Sequence, residues 1–297
     1  MFNKISSISD KARYFAWAAT RYYGADKSCP ACGDSNTVAL HRKALVTELF
    51  ECERCSLRFR VPKDSQERSV AFYQHTYNQG ITTDCPDESQ LQQLIQSEFR
   101  GSEKDFGPYL KVLEAIGVQP GSVVLDYGSS WGYGSWQLTR AGFSVYSYEI
   151  SAPRAEYARK HLHCEVLAAP DALPASVDVF FSAHVIEHLP DPNLLWNCAR
   201  KVLKPTGVIV LFMPNGDPSV EAQRGEDYHS IWGLVHPLVL SAKALTAMAG
   251  MHGFSGQAYS SPYHFNQIKK QQQGNLSGDE LLYIARRQVT SIRSPNV

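Results

Sequence analysis

A short apolar run that ends in an acid and enters glycines is the feature that most constrains the fold of this chain. Residues 123–127, Val-Val-Leu-Asp-Tyr, lead into residues 128–134, Gly-Ser-Ser-Trp-Gly-Tyr-Gly, and a second apolar run at 144–150 contains Glu149. The pattern predicts a strand, a glycine-bearing turn, a helix and a second strand, with an acid ending each strand. Open α/β sheets begin a nucleotide site in this way, because glycine lets the backbone approach a ligand.

The spacing of the glycines indicates the kind of ligand. A dinucleotide fingerprint is G-x-G-x-x-G directly after the strand, and it closes on a pyrophosphate at a helix N-terminus. Here the order is Asp126-x-Gly128-x-x-x-Gly132. Because a carboxylate at the strand tip disfavours an anionic pyrophosphate, the pattern favours a cationic ligand.

These residues resemble the class I S-adenosylmethionine-dependent methyltransferases, whose first motif is D-x-G-x-G-x-G and whose next strand ends in an acid, here Glu149. Ser130 stands at the middle glycine, which serine can replace if its backbone dihedrals are ordinary. Thr206 replaces a glycine of the family's R-x-L-K-P-G-G turn. The further segments that resemble the family, in its order, are 176–181, 184–192, 200–207 and 213–215.

The resemblance covers roughly residues 106 to 287 and implies the fold class. We expect an α/β, doubly wound, seven-stranded and mostly parallel sheet with an antiparallel last strand, plus a small N-terminal zinc ribbon. The expected divisions are an amphipathic helix at 1–25, the ribbon at 26–61, a connector and candidate lid at 62–105, the methyltransferase domain at 106–290 and a tail at 291–297. Within the connector, residues 72–86 form either a lid or a linker along the surface.

The resemblance also implies the residues that bind S-adenosylmethionine. Residues 128–132 would pass beneath its methionine part, and Glu149 would accept both ribose hydroxyls, since a carboxylate offers paired acceptors to a diol. Ile150 would lie against the adenine, and Asp171 would contact the adenine amino group or serve only as a turn residue. The expected set is Asp126, Gly128, Ser129, Ser130, Trp131, Gly132, Tyr133, Glu149, Ile150 and Asp171. Asp126 would complement the sulfonium charge, position the glycine turn, or do both.

Two pairs of cysteines predict a structural metal site. Cys29 and Cys32 form one C-x-x-C knuckle, and Cys52 and Cys55 form a second one nineteen residues further along. Two facing knuckles complete the closed four-thiolate site that is typical of structural zinc, and the residues between them can form a short hairpin. A redox C-x-x-C would need one pair beside a βαβ unit. A closed shell leaves no coordination position open for catalysis.

A histidine-rich segment supplies the candidate catalytic residues, His184, Glu187 and His188, with His236 further along. On a helix the H-x-x-E-H spacing would bring three ligand-capable side chains together. The same string is an inverzincin protease signature, but it follows a strand here. It resembles the E-x-x-E-H of small-RNA 2′-O-methyltransferases and ubiquinone-pathway O-methyltransferases, which implies a second divalent metal at the His184/Glu187/His188 cluster. Without a metal, His184 is the first candidate for a general base and His188 the second.

Composition bounds the partners. The chain has 29 basic and 29 acidic residues, so no global field favours phosphate backbones or anionic membranes, although a nucleic-acid partner is not excluded. No apolar stretch approaches the ~20 residues of a membrane span. Charged residues at 10, 11 and 13 interrupt any signal-peptide core, so the expected location is cytoplasmic. Oligomeric state is not indicated.

Together these features predict methyl transfer from S-adenosylmethionine to a small-molecule or glycan acceptor, most simply at oxygen. An RNA methyltransferase is the main enzymatic alternative. A non-catalytic module that binds the cofactor or docks a partner is the other alternative, and Ser130 and Thr206 are its support. His229 and Trp232 are candidate acceptor contacts.

Overall fold

A computed structural model describes residues 8–75, 84–272 and 274–288 of the chain. Seven strands in this part form one sheet, which confirms the predicted α/β class. Their spatial order is β10-β11-β8-β7-β4-β5-β6, and β11, the last strand of the chain, alone runs antiparallel to the others, as predicted. The strands are β4 (Val123–Tyr127), β5 (Ser144–Tyr148), β6 (Glu165–Val166), β7 (Val177–Ala183), β8 (Leu203–Pro214), β10 (Phe254–Ser260) and β11 (Glu280–Arg287).

Helices cover both faces of this sheet. Successive residues of each strand point to opposite faces, so Val124 packs with one set of helices and Leu125 with the other. The helices are α3 (Glu88–Gln96), α4 (Gly107–Ala115), α5 (Tyr133–Arg140), α6 (Ala152–Leu162), α7 (Asn193–Val202), α8 (Pro218–Arg224), α9 (Ala242–Met251) and α10 (Phe265–Lys269). The parallel strands end at one edge, where their loops form the site.

A second sheet, of four strands, carries the cysteine region. Its strands are β1 (Thr37–Lys43), β2 (Thr47–Cys52), β3 (Arg58–Val61) and β9 (Leu238–Val239), and β1 and β2 form the predicted hairpin. The fourth strand comes from a distant part of the chain, with Arg58 opposite Val239 and Phe59 opposite Leu238. We call residues 26–61 the ribbon. The ribbon therefore completes its sheet with a strand from within the expected methyltransferase domain.

The ribbon and the main sheet also share one hydrophobic core. Buried ribbon residues such as Phe50 and Leu57 belong to the same cluster as Leu195 and Trp196 of α7. The Asn193 side chain, at the start of α7, donates to the carbonyls of Pro30 and Ala31 at 3.2 and 3.1 Å. The buried side of the ribbon is thus packed against the methyltransferase domain.

Two local predictions from the sequence differ from the structure. The polar connector contains a helix, α2 (Gln66–His75), which the sequence pattern did not indicate. Residues 184–188 do not form the α-helix assumed for H-x-x-E-H: His184 has φ 56° and is followed by a 3-10 turn, Ile186–His188. A residue with positive φ turns the chain sharply, so the three side chains are not spaced as on a helix.

Helix α1 (Ile8–Tyr22) packs Tyr14 and Ala18 inward, whereas Ala12, Ala16 and Ala19, which the sequence pattern placed on the apolar face, are exposed. Residues 1–7 of that expected helix, residues 76–83 of the candidate lid and the 291–297 tail lie outside the described residues. Among the residues described, no helix combines the length and apolarity that crossing a bilayer requires.

Candidate active site

The turn after β4 brings the backbone to the edge of a large cavity. Gly128 has φ 86°, and the amides of Gly128 and Ser129 donate to the Tyr148 carbonyl at 2.7 and 3.0 Å. Ser130 also adopts the left-handed region, with φ 51°, so its dihedrals are not ordinary, contrary to the condition stated for serine at this glycine position. That conformation costs about 1–2 kcal/mol.

The Glu149 carboxylate faces the cavity, and it offsets part of the free-energy cost of the left-handed conformation of Ser130. Its Oε2 accepts the Ser130 amide and its Oε1 accepts the Ser151 amide, both at 2.8 Å. Burial raises the pKa of Glu149, although the two amide donors and Arg154 oppose the effect. Each carboxylate oxygen has two acceptor positions, so one on each remains for a ligand hydroxyl.

Helix α2 closes over the end of β5 through Gln74, a residue that sequence reasoning missed. The Gln74 amide nitrogen donates to the Ile150 carbonyl at 2.5 Å, and the amide oxygen accepts from the Ala152 backbone at 3.2 Å. Tyr73, one residue earlier, lines the cavity and packs edge-on against His188. A polar connector carries no periodic signal for these contacts, because they depend on a partner 76 residues away.

The ten expected cofactor residues separate into two groups. The residues of the first group line the cavity: Gly128, Ser130, Tyr133, Glu149, Ile150 and Asp171. Asp171 is exposed and pairs with Lys201 at 2.5 Å.

The second group comprises Asp126, Ser129, Trp131 and Gly132, which lie behind the turn. Asp126 is buried and accepts the Ser135 hydroxyl at 2.6 Å, and burial raises its pKa to about 7. Trp131 is fully buried in a cluster with Leu91 and Phe99. These residues support the turn from within, so of the two roles stated for Asp126 the geometry favours positioning.

His184, at the end of β7, is enclosed by carboxylates. Its Nε2 lies 2.7 Å from Glu280 Oε1, and its Nδ1 lies 3.4 Å from Glu187 Oε1. Burial lowers the pKa of His184, but the two carboxylates outweigh burial and raise it to about 10. The contact with Glu280 occupies Nε2 and the raised pKa keeps the ring protonated at neutral pH, so this arrangement disfavours His184 as the general base.

Glu280 is a functional candidate that the sequence did not indicate. It accepts the Tyr109 hydroxyl at 2.7 Å and the Tyr263 hydroxyl, in addition to its contact with His184. Because β11 runs antiparallel, its first residue lies opposite Pro214, at the edge where the parallel strands end. No local sequence pattern indicates a role for Glu280, because its partners come from three separate segments.

Glu187, His188 and His236 form a compact cluster whose ligand-capable atoms all lie within 4.8 Å of one another. His188 Nδ1 lies 2.8 Å from the Val235 carbonyl, and His236 Nδ1 lies 3.1 Å from the Ile231 carbonyl. A carbonyl only accepts, so each ring donates its Nδ1–H to a backbone carbonyl and directs Nε2 away from it. Both Glu187 oxygens are buried and form no hydrogen bond within the described residues.

The expected metal cluster is thus rearranged, because His236 takes the third place and His184 turns toward Glu280. Burial first, and the nearby His188 second, lower the pKa of His236 to about 4. His229 is exposed, and Trp232 is buried beside Leu49 and Val239; neither is among the cavity-lining residues. These two candidate acceptor contacts face the ribbon side instead.

One cavity of about 890 Å³ connects Glu149 with His184, Glu187, His188, His236 and Glu280. Ligand pockets typically measure ~300–1,000 Å³. The volume therefore suits a nucleoside-sized ligand together with a small acceptor.

The four ribbon cysteines also converge. Cys29 Sγ lies 3.5 Å from Cys55 Sγ, Cys32 Sγ lies 3.5 Å from Cys52 Sγ, and all four sulfurs lie within 4.8 Å of one another. With Zn–S bonds of ~2.3 Å, the edges of a regular tetrahedron are ~3.8 Å long. The spacing fits one tetrahedral ion, and all four cysteines are free of disulfides.

Substituting Gly128 by alanine is expected to destabilise the fold by about 2–4 kcal/mol and to impair cofactor binding. A Cβ at this position would lie 2.3 Å from Val185 Cγ2, and Val185 lines the cavity. Urea unfolding and calorimetric titration with S-adenosylmethionine measure the two effects. Gly117→Ala is the control, since Gly117 has φ 85° but nothing within 4 Å. Equal losses of stability and of S-adenosylmethionine affinity in the two variants would contradict the proposed clash.

Known proteins match the part of the chain that forms this site. Residues 125–211 match the sequence model of a family described as "Methyltransferase domain". A ubiquinone biosynthesis O-methyltransferase of Xanthomonas campestris pv. campestris (strain B100) is 28% identical over 163 residues, which cover 47% of this chain and 67% of that protein. Phosphoethanolamine N-methyltransferase 2 of Caenorhabditis elegans is 25% identical over 190 residues, or 60% of this chain and 43% of that protein.

The solved structures that are similar include phosphoethanolamine N-methyltransferase 2 of Haemonchus contortus in complex with S-adenosyl-L-methionine. The TM-score is 0.47 at 15% identity, with 78% of this chain and 62% of that chain covered.

The strand order, the glycine turn and the acid that ends β5 define the class I α/β methyltransferase fold. With the matching family model and relatives, they identify the chain as an S-adenosylmethionine-dependent methyltransferase.

Proposed function

We propose that this enzyme methylates a hydroxyl group of a small-molecule or glycan acceptor. The observation that carries the proposal is the single cavity that joins Glu149 to the Glu187, His188 and His236 cluster. S-adenosylmethionine supplies an electrophilic methyl group on its sulfonium. Glu149 would accept the two ribose hydroxyls, and Ile150 would lie against the adenine. The names of similar O- and N-methyltransferases support small-molecule acceptors in general.

The charge of the cavity favours a neutral, hydroxyl-bearing acceptor over RNA. Outside the cofactor-binding set and the cations beside it, five lining carboxylates outnumber two cations, Arg224, which pairs with Asp279, and the His184 imidazolium, which pairs with Glu280. The carboxylates concerned are Glu103, Asp105, Glu187, Asp279 and Glu280. Carboxylates accept hydrogen bonds from hydroxyls but repel the phosphates that dominate nucleic-acid binding. RNA is therefore the weaker alternative.

A divalent metal fits the cluster of Glu187, His188 and His236. Histidine ligands of metals usually donate their second N–H to a carbonyl or carboxylate, and His188 and His236 both donate Nδ1–H to a backbone carbonyl. The buried Glu187 carboxylate forms no hydrogen bond within the described residues, so both of its oxygens are available as ligand atoms. Two imidazoles favour zinc, iron or manganese over magnesium. An ion held there would act as a Lewis acid toward the acceptor hydroxyl.

The remaining residues of the cavity would orient the acceptor and exclude water. His184, held by Glu280, presents a fixed imidazolium at the wall. Tyr109 and Tyr263 fix Glu280 in turn. In-line methyl transfer depends mainly on such positioning. We also propose that Cys29, Cys32, Cys52 and Cys55 hold one structural zinc, because their spacing fits a tetrahedral ion.

The direct test is product analysis with S-adenosylmethionine carrying an isotopically labelled methyl group. The purified enzyme is incubated separately with a small-molecule and glycan extract and with total RNA from the same cells. We expect label in an O-methyl product of the extract. An N-methyl or C-methyl product would overturn the choice of atom, and label only in RNA would overturn the acceptor class.

Glu187→Gln is expected to lower kcat by at least about 100-fold, the lower range for losing acid–base or metal assistance, with the Kd of S-adenosylmethionine within about two-fold. The variant should also bind Mn²⁺ at least ten-fold more weakly in calorimetric titrations of protein that carries one zinc ion per chain, enough for the four cysteines alone. Asp171→Asn is the control, since Asp171 lines the same cavity but pairs with Lys201. Unchanged Mn²⁺ binding and kcat in Glu187→Gln would refute the assignment.

A further inference from the structure

Residues 233–237 carry two groups that the active-site cluster depends on. His236 contributes its ring, and the carbonyl of Val235 accepts the His188 Nδ1 proton at 2.8 Å. The segment has neither helix nor strand structure, and within it one backbone hydrogen bond links the Gly233 amide to the His236 carbonyl. A loop with so few internal bonds needs outside contacts to hold two groups in place.

Those contacts come from the ribbon. The Arg60 backbone amide donates to the Pro237 carbonyl at 2.8 Å, which extends the pairing of β3 with β9. The Arg60 guanidinium donates to the carbonyls of Gly233 and Leu234 at 2.7 and 3.2 Å. Arg60 therefore forms hydrogen bonds with both ends of the segment, at residues 233–234 and at residue 237.

Arg60 is itself immobilised. It is fully buried, pairs with Asp64, donates to the Pro62 carbonyl at 3.2 Å and lies over the Tyr14 ring at 5.1 Å. A buried guanidinium with satisfied donors is stable only in that geometry, because exchanging a partner leaves a charge or a carbonyl unpaired. The planar guanidinium thus fixes residues 233–237 relative to the ribbon.

We infer that the ribbon serves this enzyme as an active-site support, and that Arg60 is the positioning residue that places His236 and the Val235 carbonyl against His188. Without the contacts from the ribbon, residues 233–237 would no longer be fixed, and both imidazoles would be free to exchange tautomers. The consequence for catalysis rests on the function proposed above, whereas the positioning itself does not.

The test is nitrogen-15 NMR of the imidazoles of His188 and His236 in full-length protein that carries one zinc ion per chain, enough for the four cysteines alone, comparing wild type with Arg60→Gln. Wild type is expected to show both rings with the proton on Nδ1, and Arg60→Gln a mixture with the Nε2–H tautomer. Lys63→Gln is the matched control, because Lys63 pairs with Asp26 and donates to the Ser28 carbonyl near the ribbon's start, away from the segment. Unchanged tautomers in Arg60→Gln would overturn the inference.

A second measurement on wild type covers the case in which Arg60→Gln fails to fold. If the ribbon holds the segment, the amides of Gly233 and Arg60 should exchange with deuterium at matched opening free energies. Faster, independent exchange of Gly233 would overturn the inference.

S-adenosylmethionine affinity, measured alongside, should change by less than about two-fold in Arg60→Gln. The tautomers report positioning alone, so failure of the proposed methyl transfer is recognised separately.

Once an acceptor is in hand, Arg60→Lys should restore part of the kcat lost in Arg60→Gln without altering the KM for S-adenosylmethionine. Lysine keeps the charge but lacks the planar fork that reaches two carbonyls. Equal kcat in all three proteins would contradict a positioning role for Arg60.

Discussion

Cys52→Ser is expected to release the ribbon zinc and unfold the ribbon. Cys52 is fully buried, and its sulfur lies 3.5 Å from that of Cys32. Structural zinc contributes apparent binding energies of ~10–16 kcal/mol in zinc-finger peptides, as large as the ~5–15 kcal/mol that stabilises a typical protein. We expect zinc content to fall from one ion per chain to below about 0.1 and the melting temperature to fall by at least about 10 °C. Elemental analysis and scanning calorimetry provide the measurements.

The destabilisation caused by Cys52→Ser should extend beyond the ribbon to the methyltransferase domain. Cys29, Cys52 and Cys55 belong to the same core cluster as Leu195 of α7, and β3 pairs with β9. Cys198→Ser is the control, since Cys198 is also a buried cysteine of this core but lies outside the four-sulfur cluster. It should keep its zinc. A Cys52→Ser protein with full zinc and an unchanged melting temperature would show that the cysteines do not form the proposed site.

Glu149→Ala is expected to weaken S-adenosylmethionine binding by about 100-fold or more. Hydrogen bonds to a charged group contribute about 1.5–3 kcal/mol each, and the carboxylate would accept two from the ribose. The same carboxylate accepts the amides of Ser130 and Ser151, so its loss also releases the left-handed backbone of Ser130. Calorimetric titration with S-adenosylmethionine and S-adenosylhomocysteine measures the loss.

Asp171→Ala is the matched control, because Asp171 is another carboxylate of the same cavity but is exposed and paired with Lys201. Its affinity should stay within about three-fold of wild type. Glu149→Gln should lie between wild type and Glu149→Ala, since an amide keeps one acceptor oxygen. Wild-type affinity in Glu149→Ala would exclude Glu149 as the ribose ligand.

Sequence reasoning was most successful where neighbouring residues carry the function. The turn at Gly128 and the acid Glu149 belong to one strand-turn-helix-strand unit, whose pattern the chain displays directly. The two cysteine knuckles are likewise local, and their sulfurs meet as the spacing predicts. A glycine with φ 86° or a C-x-x-C turn is visible in sequence because the backbone conformation itself demands those residue types.

It was least successful where side chains converge from separate elements. Gln74 sits in a connector without periodicity, and Glu280 at the start of an antiparallel strand. His184 was expected in the metal cluster but turns toward Glu280, because its positive φ redirects the chain. Serine at position 130 was expected to be tolerated only with ordinary dihedrals, but Ser130 adopts the left-handed region while its amide donates a hydrogen bond to Glu149.

The amino-acid sequence by itself therefore determined the fold class, the glycine turn, the acid that ends β5 and the cysteine pairs, since each depends on short-range geometry. Tertiary structure alone decided that Glu187, His188 and His236 form one cluster, that Glu280 holds His184, and that Arg60 supports the loop of His236. The physical reason is that these contacts join residues 48 to 177 positions apart, and sheet order and strand direction, which no local pattern encodes, bring them together.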